Sequence, residues 1–472
     1  MAIPTIVLIP FCVTGHLTSM VEAGKRLLSS SSRPLSLTML VTPMSMDKLT
    51  SELADIIRRE TESGFEIRFH HLPAVELPQD FHGAEDFISR FVQLHAPGAK
   101  AAISGLASPV SAVVMDYFCT TLFDVTRELG LPAYVYFTSA ASMLALMLRL
   151  PSLDKEVAVG FEELDGPVNV PGMPPVPAAS MPKPMMKKDA NYAWFVYHGN
   201  RFMDAAGIIV NTVAGLEPAI LEAIEGGRCV PGERRVPTVY PIGPVMSFKK
   251  PTAKEPPHEC VRWLEAQPRA SVVLLCFGSM GTFAPPQVLE IAEALDRSGH
   301  RFLWVLRGPP PGNSPYPTDA NLGELLPEGF LERTKEKGLV WPKWAPQQEI
   351  LAHPAVGGFV THCGWNSTLE SLWHGVPLVP WPLYAEQHLN AFELVSVMGV
   401  AVAMAVDTKR DNFVEATELE RALRSLMDDG SEEGSKAREK AMEAQALCRS
   451  AVEEGGSSYT AWHKLAREVS RD

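Results

Sequence analysis

The amino-acid sequence predicts an α/β protein made of two successive halves, each a parallel β-sheet with helices packed against it. Two near-continuous apolar runs, at residues 3–11 and 271–277, are typical of strands buried on both faces of a parallel sheet. Each run is followed within a few residues by a glycine and then by apolar residues at helical spacing. With 472 residues, the chain is long enough for two domains with separate hydrophobic cores.

The first half alternates short apolar runs with amphipathic stretches, as βαβ units do. After residues 3–11, strands are predicted at residues 35–41, 65–72, 111–117, 133–137, 207–210 and 239–242. Helices are predicted at residues 17–29, 84–104 and 192–203, with another amphipathic helix between the second and third strands and one that begins at residues 138–139. Residues 151–187 are rich in proline and methionine and are predicted to lack regular structure, and so long a loop inside a domain is usually functional.

The second half is predicted to repeat this scheme after a linker at residues 244–257, where lysines and prolines occur without periodicity. Strands are predicted at residues 271–277, 301–306, 357–361 and 376–380, with an exposed loop at 308–321. Helices are predicted at residues 258–264, 286–297, 386–397, 416–427 and 435–453, and a last one runs to about residue 468 after the Gly455-Gly456 break.

Composition and charge narrow the possible partners and compartments. The formal net charge of −13 argues against nucleic acid or an anionic membrane surface as a partner. Seven cysteines without a CxxC pair suit a reducing compartment better than a disulfide framework. A signal peptide would require a basic residue near the N-terminus, but none precedes Lys25. No apolar run reaches the roughly 18 residues that a membrane-spanning helix needs. These observations predict a cytoplasmic protein without a membrane span.

Residues 357–380 are predicted to form a strand, a glycine turn, a helix and a second strand. In this arrangement open α/β sheets bind phosphates, because the free backbone N–H groups of a helix N-terminus favour an anion. Side chains with hydrogen-bonding groups collect at the turn, namely His362, Asn366, Ser367 and Thr368. The last three are predicted to cap the helix, which Gly375 ends.

Two further residues near this turn fit a nucleotide. Glu370 lies one helical turn further on, roughly 6 Å along the axis, where a carboxylate can accept hydrogen bonds from a ribose diol. Trp344, on the preceding connection, offers a flat face on which a base could stack.

Residues 344–387 closely resemble the signature box of plant secondary-product UDP-glycosyltransferases, in family 1 of the glycosyltransferases. The resemblance implies a GT-B fold, in which two Rossmann-like β/α/β domains face each other across a cleft. It also implies a first domain at residues 1–243, completed by the last helix at 456–472, and a second domain at 258–455. The expected partners are a UDP-sugar donor and a small hydrophobic acceptor. We expect a monomer that needs no cofactor.

The resemblance assigns the nucleotide to particular positions of the box. Trp344 would stack on uracil while the backbone of Ala345 reads its edge, and Gln347 and Glu370 would hold the ribose. The residues implied to hold the diphosphate are His362, Asn366 and Ser367.

A second phosphate contact and the sugar contacts are also expected. Ser279 lies in a glycine-bearing turn between a strand and a helix, where backbone N–H groups can approach a phosphate. By resemblance, Trp365, Glu386 and Gln387 would face the sugar. Glutamine at the last position is associated in the family with glucose and histidine with galactose, so UDP-glucose is the expected donor.

Three polar residues of the first half lie at predicted carboxyl ends of strands, where the ligands of such sheets collect: His16, Asp116 and Thr138. A histidine at a strand–helix junction is often only a helix cap, but this shared location favours a functional interpretation. A helix N-terminus helps to keep an imidazole neutral, and a carboxylate can orient the ring. Family 1 enzymes have a similar histidine–aspartate pair, which implies that His16 is the general base of an inverting transfer, oriented by Asp116. Thr138 is predicted to contact the UDP-sugar.

The acceptor is less well defined by the sequence. Side chains at strand ends or on the long segments are predicted to line its pocket, namely Phe11, Phe118, Met143, Trp194 and Tyr384. Members of the family glycosylate flavonoids, other phenolics, terpenoids and hormones. We therefore predict glucosylation of a hydroxyl group on a flavonoid-like phenol, with C-glycosylation or a terpenoid or hormone acceptor as alternatives.

Two other classes of protein fit the sequence less well. A nucleotide-dependent oxidoreductase would have GxGxxG after a strand, which is absent, and its ribose-binding acid about 20 residues beyond a glycine turn, whereas Glu370 lies inside the helix. A catalytically inactive UDP-sugar sensor would keep the box and lose the base, whereas His16 and Asp116 are both present. The sequence has no DxD pair, so no metal ion is expected, and the helix N-terminus, His362 and hydroxyl groups would have to meet the diphosphate charge.

Overall fold

The computed structural model of the protein describes residues 3–11, 13–43, 47–230, 232, 235–247, 256–312, 314 and 316–470. It divides into two compact units, neither of which is continuous in sequence. The first unit comprises Met1–Ala178, Pro184–Phe248 and Ser450–Asp472, and the second comprises Ala179–Lys183 and Lys249–Arg449. Most of the predicted linker, residues 248–255, lies outside the described residues.

The first unit is built on a parallel sheet with strand order β3-β2-β1-β4-β5-β8-β9. Its strands are β1 (Thr5–Ile9), β2 (Ser36–Val41), β3 (Ile67–His71), β4 (Val110–Asp116), β5 (Ala133–Phe137), β8 (Gly207–Val210) and β9 (Thr238–Pro241), and a separate antiparallel pair comprises β6 (Pro167–Val168) and β7 (Val176–Pro177). β1 and β5 are buried along their whole length, as their uninterrupted apolar sequences predict. The strand order reverses between β1 and β4, so their carboxyl ends form a switch point where ligands of such sheets bind.

Helices of the first unit alternate with its strands. They are α1 (Thr14–Ser30), α2 (Asp47–Thr61), α3 (Ala84–Leu94), α4 (Ala96–Ser104), α5 (Phe123–Glu128), α6 (Ala141–Glu156), α7 (Ala190–Arg201) and α8 (Pro218–Glu225). The single helix predicted at 84–104 is wrong, because Pro97 occupies the first turn of a new helix and the chain breaks at His95. Neither α5 nor α8 is among the predicted helices.

The proline-rich segment at 151–187 is more ordered than predicted. Helix α6 continues through Pro151 to Glu156, and the rest contains the β6–β7 pair and three-residue 3₁₀ turns. Pro151 is tolerated because its neighbours on α6 are deeply buried, so tertiary packing outweighs the lost hydrogen bond. Residues Ala179–Lys183 of this segment belong to the second unit.

The second unit contains another parallel sheet, with strand order β14-β11-β10-β15-β16. Its strands are β10 (Val272–Cys276), β11 (Arg301–Val305), β14 (Gly338–Trp341), β15 (Val356–Thr361) and β16 (Leu378–Pro380), and the predicted loop at 308–321 carries part of an antiparallel pair, β12 (Arg307–Gly308) and β13 (Thr318–Asp319). The order reverses between β10 and β15, so the second switch point lies at their carboxyl ends. The predicted α/β class with two parallel sheets is confirmed.

Helices cover this sheet and end with a long, largely polar one. They are α9 (Glu259–Glu265), α10 (Pro285–Ser298), α11 (Leu322–Leu325), α12 (Phe330–Thr334), α13 (Gln347–Leu351), α14 (Trp365–His374), α15 (Gln387–Ser396), α16 (Ala416–Met427) and α17 (Glu432–Val452). The core between sheet and helices contains two fully buried indoles, Trp304 and Trp381.

The last helix, α18 (Ser457–Val469), packs in the first unit against α1 and β9. Its buried face contributes Trp462, Leu465 and Val469 to the core of that unit. The indole N–H of Trp462 donates to the Ile242 carbonyl at 3.0 Å, and the Ser458 hydroxyl donates to the Gly243 carbonyl.

Two properties of the described residues bear on the predicted surroundings of the protein. None of the helices in the described ranges is both long and apolar enough to cross a lipid bilayer. Six cysteines in the described part of the chain are free thiols, and all six are buried.

Candidate active site

A histidine and an aspartate meet at the switch point of the first sheet. His16 lies in the first turn of α1, directly after β1, and Asp116 is the last residue of β4. His16 Nδ1 lies 2.7 Å from Asp116 Oδ2, while Asp116 Oδ1 accepts a hydrogen bond from the Phe118 N–H at 3.0 Å. The carboxylate is fully buried and the imidazole side chain is 22% exposed. Since a carboxylate accepts, Nδ1 carries the proton and Nε2 keeps its lone pair.

Aromatic rings surround this pair. The rings of Phe11, Tyr117 and Phe118 lie with their centroids 5.7–5.9 Å from that of His16. Phe11 and Phe118 also contact each other edge to face at 5.8 Å. The structure therefore brings two of the predicted acceptor-pocket residues, Phe11 and Phe118, to the imidazole.

The other predicted acceptor residues lie elsewhere. Trp194, on α7, donates its indole N–H to Asp86 at 2.8 Å and stacks on His198, whose ring also meets Phe118 at 6.1 Å. Met143 is buried on α6. Tyr384 belongs to the second unit.

Sequence reasoning missed two buried groups that lie beyond the carboxyl ends of β4 and β5. His198 lies between the Ser89 and Thr120 hydroxyls, at 2.9 and 2.6 Å, and burial lowers its pKa to about 3. Glu217, also buried, accepts hydrogen bonds from the Ala141 and Ser142 N–H groups at the start of α6. No motif in the sequence marks either residue, because each acts on elements distant in the chain.

Thr138, buried between β5 and α6, belongs to the first unit, whereas the other predicted UDP-sugar residues belong to the second.

The turn of the signature box lies at the switch point of the second sheet. β15 ends at Thr361 and α14 begins at Trp365, with Cys363 in the left-handed region at φ 64°. The N-cap of α14 is Gly364, so the predicted cap at Asn366, Ser367 and Thr368 is wrong. These residues are already inside the first turns of the helix. Because glycine has no side chain to cap the first N–H groups, the helix N-terminus is available for an external anion.

His362 lies in a tight pocket between two glycines. A Cβ atom added to Gly278 would approach His362 Nε2 at 2.7 Å, and one added to Gly364 would approach it at 2.5 Å. Gly278 also has φ 72°, a conformation that residues with a Cβ rarely adopt. The two turns that follow β10 and β15 therefore meet around one imidazole.

Burial leaves His362 neutral and incompletely hydrogen-bonded. Desolvation lowers its pKa to about 4, so the ring carries no positive charge near pH 7. Its buried Nδ1 has no hydrogen-bond partner among the residues that the structure describes, and the same is true of the Thr368 hydroxyl oxygen. Unpaired buried polar atoms are costly, and a ligand that supplied partners would remove that cost.

Gln347, the first residue of α13, joins two polar side chains of α14 by hydrogen bonds. Gln347 Nε2 donates to Ser367 Oγ at 2.9 Å and to Glu370 Oε2 at 2.7 Å. Desolvation raises the pKa of Glu370 to about 7, although the hydrogen bond from Gln347 acts in the opposite direction. An extra hydrogen-bond donor to this carboxylate, such as a ribose hydroxyl, would favour its ionised form.

Trp344 is unusually exposed for a tryptophan. Its side chain is 63% accessible, and its backbone carbonyl accepts a hydrogen bond from the indole N–H of Trp341 at 3.0 Å. Ala345, the next residue, is buried. An exposed indole on a fixed backbone is a suitable platform for a planar base.

The predicted sugar-facing residues differ in accessibility. Gln387 is buried, and its Oε1 accepts from the backbone N–H groups of Leu383 and Tyr384 at 2.9 and 3.0 Å. Glu386 is partly exposed and Trp365 is buried in the first turn of α14. The Tyr384 ring lies 6.2 Å from that of His362, and burial raises the pKa of its phenol to about 12.

The remaining predicted phosphate residues, Ser279 and Asn366, both have exposed side chains. Ser279 follows Gly278 in the turn after β10, and Asn366 is the second residue of α14. Within the described ranges, no group of three or more histidine, cysteine, aspartate or glutamate side chains is arranged to hold a metal ion.

The chain is similar in sequence to transferases that use UDP-sugars. A family described as "UDP-glucoronosyl and UDP-glucosyl transferase" matches residues 236–442. The malvidin galactosylase of Oryza sativa subsp. japonica is 59% identical, covering 100% of this chain and 98% of the relative. The anthocyanidin 5,3-O-glucosyltransferase of a Rosa hybrid cultivar is 41% identical, covering 98% of both chains.

The fold of the chain is also similar to that of solved plant proteins. A Phytolacca americana protein, complexed with UDP-2fluoro-glucose and pterostilbene, superimposes with a TM-score of 0.86 at 35% identity. The match covers 99% of this chain and 100% of the solved one.

Proposed function

This chain belongs to the plant family 1 UDP-glycosyltransferases, enzymes with a GT-B fold, and on that basis we propose an inverting hexosyl transfer to a phenolic hydroxyl with His16 as general base. The observation that carries the proposal is the 2.7 Å contact between His16 Nδ1 and the buried Asp116 carboxylate. This contact leaves Nε2 as the atom that accepts a proton.

The reaction proceeds by direct displacement. As the acceptor oxygen attacks the anomeric carbon, its proton passes to His16 Nε2. The new bond from oxygen to carbon forms while the bond from the anomeric carbon to the UDP oxygen breaks, and UDP leaves with the electron pair. Asp116 stabilises the imidazolium as it forms. Attack from the opposite face inverts the configuration, so an α-linked UDP-sugar gives a β-glycoside without a covalent intermediate.

The second unit supplies the donor site in this proposal. Trp344 stacks on uracil and Glu370 accepts hydrogen bonds from the ribose. The uncapped N-terminus of α14 meets the diphosphate, and this supports leaving-group stabilisation through backbone dipoles. His362 contributes as a neutral hydrogen-bond donor, because its lowered pKa excludes a permanent positive charge.

We propose UDP-glucose as the donor, because the last residue of the signature box is a glutamine, Gln387, which is associated in the family with glucose. A second candidate is UDP-galactose, which is favoured by the 59% identity to a protein named malvidin galactosylase. A site that hydrogen-bonds a particular hydroxyl discriminates between epimers, because the wrong one leaves a buried group unpaired. Competition between the two donors in one assay decides: a larger kcat/KM for UDP-galactose would exclude glucose as the preferred donor.

The acceptor that we propose is a flavonoid of the anthocyanidin type. The printed names of two relatives refer to malvidin and anthocyanidin, and the Phytolacca protein binds pterostilbene, also a phenol. The aromatic rings of Phe11 and Phe118 around His16 suit a planar phenolic acceptor.

The catalytic pair is tested by kinetics with an anthocyanidin acceptor. His16→Ala should lower kcat by about 10²–10⁴-fold, the range of general-base contributions, while UDP affinity stays unchanged. Asp116→Asn should cost less with an acidic phenol than with an aliphatic alcohol, since a phenol needs less help to lose its proton. His71→Ala, at an exposed position of the same unit, is the matched control. Near-native turnover of His16→Ala on an alcohol, or an α-linked product, would exclude this mechanism.

A further inference from the structure

The loop that joins β16 to α15 is fixed from several directions. It comprises residues 381–386, and Gln387 follows it directly as the first residue of α15. From that end, Gln387 Oε1 accepts hydrogen bonds from the N–H groups of Leu383 and Tyr384. From outside, the buried Asn412 donates through Nδ2 to the Leu383 carbonyl at 2.9 Å. The two ends of the loop are therefore held by side chains of the second unit itself.

The middle of this loop is in an unfavourable backbone conformation. Ala385 has φ 52°, in the left-handed region that a residue with a Cβ seldom adopts. Such a residue persists only where its surroundings hold it. The Ala385 carbonyl accepts a hydrogen bond from the backbone N–H of Lys183 at 2.9 Å. This contact comes from a part of the chain about 200 residues earlier and is a visible restraint on Ala385.

Lys183 belongs to a short segment of the second unit that lies, in sequence, between two parts of the first unit. Residues Ala179–Lys183, which we call the strap, are part of the second unit, although the chain before and after them is part of the first. Within the strap, Met181 is fully buried, while Lys183 is exposed. Lys183 lies between Pro182 and Pro184, so its N–H is the only backbone donor of that tripeptide.

We propose that the strap is a positioning element for the donor sugar, acting through the hydrogen bond from the Lys183 N–H to the Ala385 carbonyl. The inference rests on the proposed function, in which Glu386 and Gln387 face the sugar. The strap holds Ala385 in its left-handed conformation and so sets the direction of the loop from which these two side chains project. The sites assigned to uracil and ribose lie on other elements, β14–α13 and α14, which the strap hydrogen bond does not touch. The strap should therefore affect recognition of the sugar and not that of the nucleotide.

A backbone substitution tests this directly. Lys183→Pro removes the N–H, and Lys183→Ala keeps it and removes only the exposed ammonium group. Affinities of the full-length protein for UDP and for UDP-glucose are measured by calorimetry without acceptor. We expect Lys183→Pro to weaken UDP-glucose about five- to tenfold, as the loss of one net hydrogen bond does. UDP affinity should change less than about twofold in both variants, and Lys183→Ala should bind UDP-glucose as the native protein does.

Three results would overturn the proposal: equal weakening of UDP and UDP-glucose, equal effects of proline and alanine, or no effect of proline. If Lys183→Pro loses its thermal unfolding transition, Met181→Ala replaces it, because this change removes the buried side chain of the strap and leaves the Lys183 N–H in place. Met181→Ala should then weaken UDP-glucose more than UDP, and equal or absent weakening would overturn the proposal. Failure of the proposed function gives a different signature, namely UDP affinity that Trp344→Ala does not change.

Discussion

The raised pKa of Glu370 predicts that binding of a UDP-sugar depends on pH in a specific direction. Burial places the pKa of this carboxyl at about 7 in the free protein. Ribose hydroxyl groups donate stronger hydrogen bonds to the ionised carboxylate, whose two oxygens both accept, than to the neutral acid, so binding favours the ionised form. The affinity for UDP-glucose should therefore rise as the pH rises through 7.

The size of the effect follows from the fraction of ionised Glu370. With a pKa of about 7, this fraction is about 1/11 at pH 6 and about 10/11 at pH 8. The affinity should rise by up to about tenfold over that interval, which corresponds to about 1.4 kcal/mol. His362 does not contribute, because its pKa of about 4 lies below the interval. The same raised pKa means that the ligand-free protein becomes less stable as the pH rises from about 4.5 to 7. In this range the native state retains a proton that the unfolded chain has released.

The measurement is calorimetric titration with UDP-glucose at several pH values between 6 and 8. UDP-glucose is preferable to UDP, whose terminal phosphate itself titrates near pH 6. In the matched variant Glu370→Gln, binding should be weaker at pH 8 by about 1.5–3 kcal/mol, the contribution of hydrogen bonds to a charged group. The variant should also show no dependence on pH. A native affinity that is constant from pH 6 to 8, or a slope that survives in Glu370→Gln, would refute the assignment of Glu370 to the ribose.

Three further substitutions test other parts of the structure. Trp344→Ala should weaken UDP by about 1–3 kcal/mol through lost stacking, and unchanged affinity in calorimetry would contradict that role. Gly278→Ala should displace the His362 ring and weaken UDP-glucose binding by about 0.5–1.5 kcal/mol, the net contribution of one hydrogen bond. Gly227→Ala is its control, because Gly227 has φ 73° but open space around it; a similar loss of affinity in both would count against a specific contact. Trp462→Ala should destabilise the first unit by about 3–5 kcal/mol in chemical denaturation, and an unchanged midpoint would show that α18 adds little.

The strands and the signature box could be predicted from the sequence because their signals are local. Two strands, β5 and β8, have the predicted bounds, since an uninterrupted apolar run is a direct consequence of burial on both faces. The predicted proximity of His16 and Asp116 rested on a general property of parallel sheets, whose carboxyl strand ends share one edge. The structure contains that contact, while the roles of the two residues stay a prediction.

Features that depend on distant parts of the chain could not be predicted. The left-handed backbone of Ala385 is held by an N–H from position 183, and no local pattern encodes this pairing. The buried His198 depends in the same way on hydroxyls from two other elements. The error at the start of α14 has a different origin: several residues with capping side chains follow one another there, and Gly364, which has none, is the N-cap.

Helix α18 has a consequence for recombination between related genes. Because Ser450–Asp472 belongs to the first unit, a single crossover near residue 249 would exchange the second unit together with a helix of the first. Trp462 of one parent would then have to fit a β9 region from the other, where its indole N–H now meets the Ile242 carbonyl. A hybrid meant to combine one parent's acceptor specificity with the other's donor specificity therefore needs a second crossover near residue 449, so that α18 stays with the sheet on which it packs.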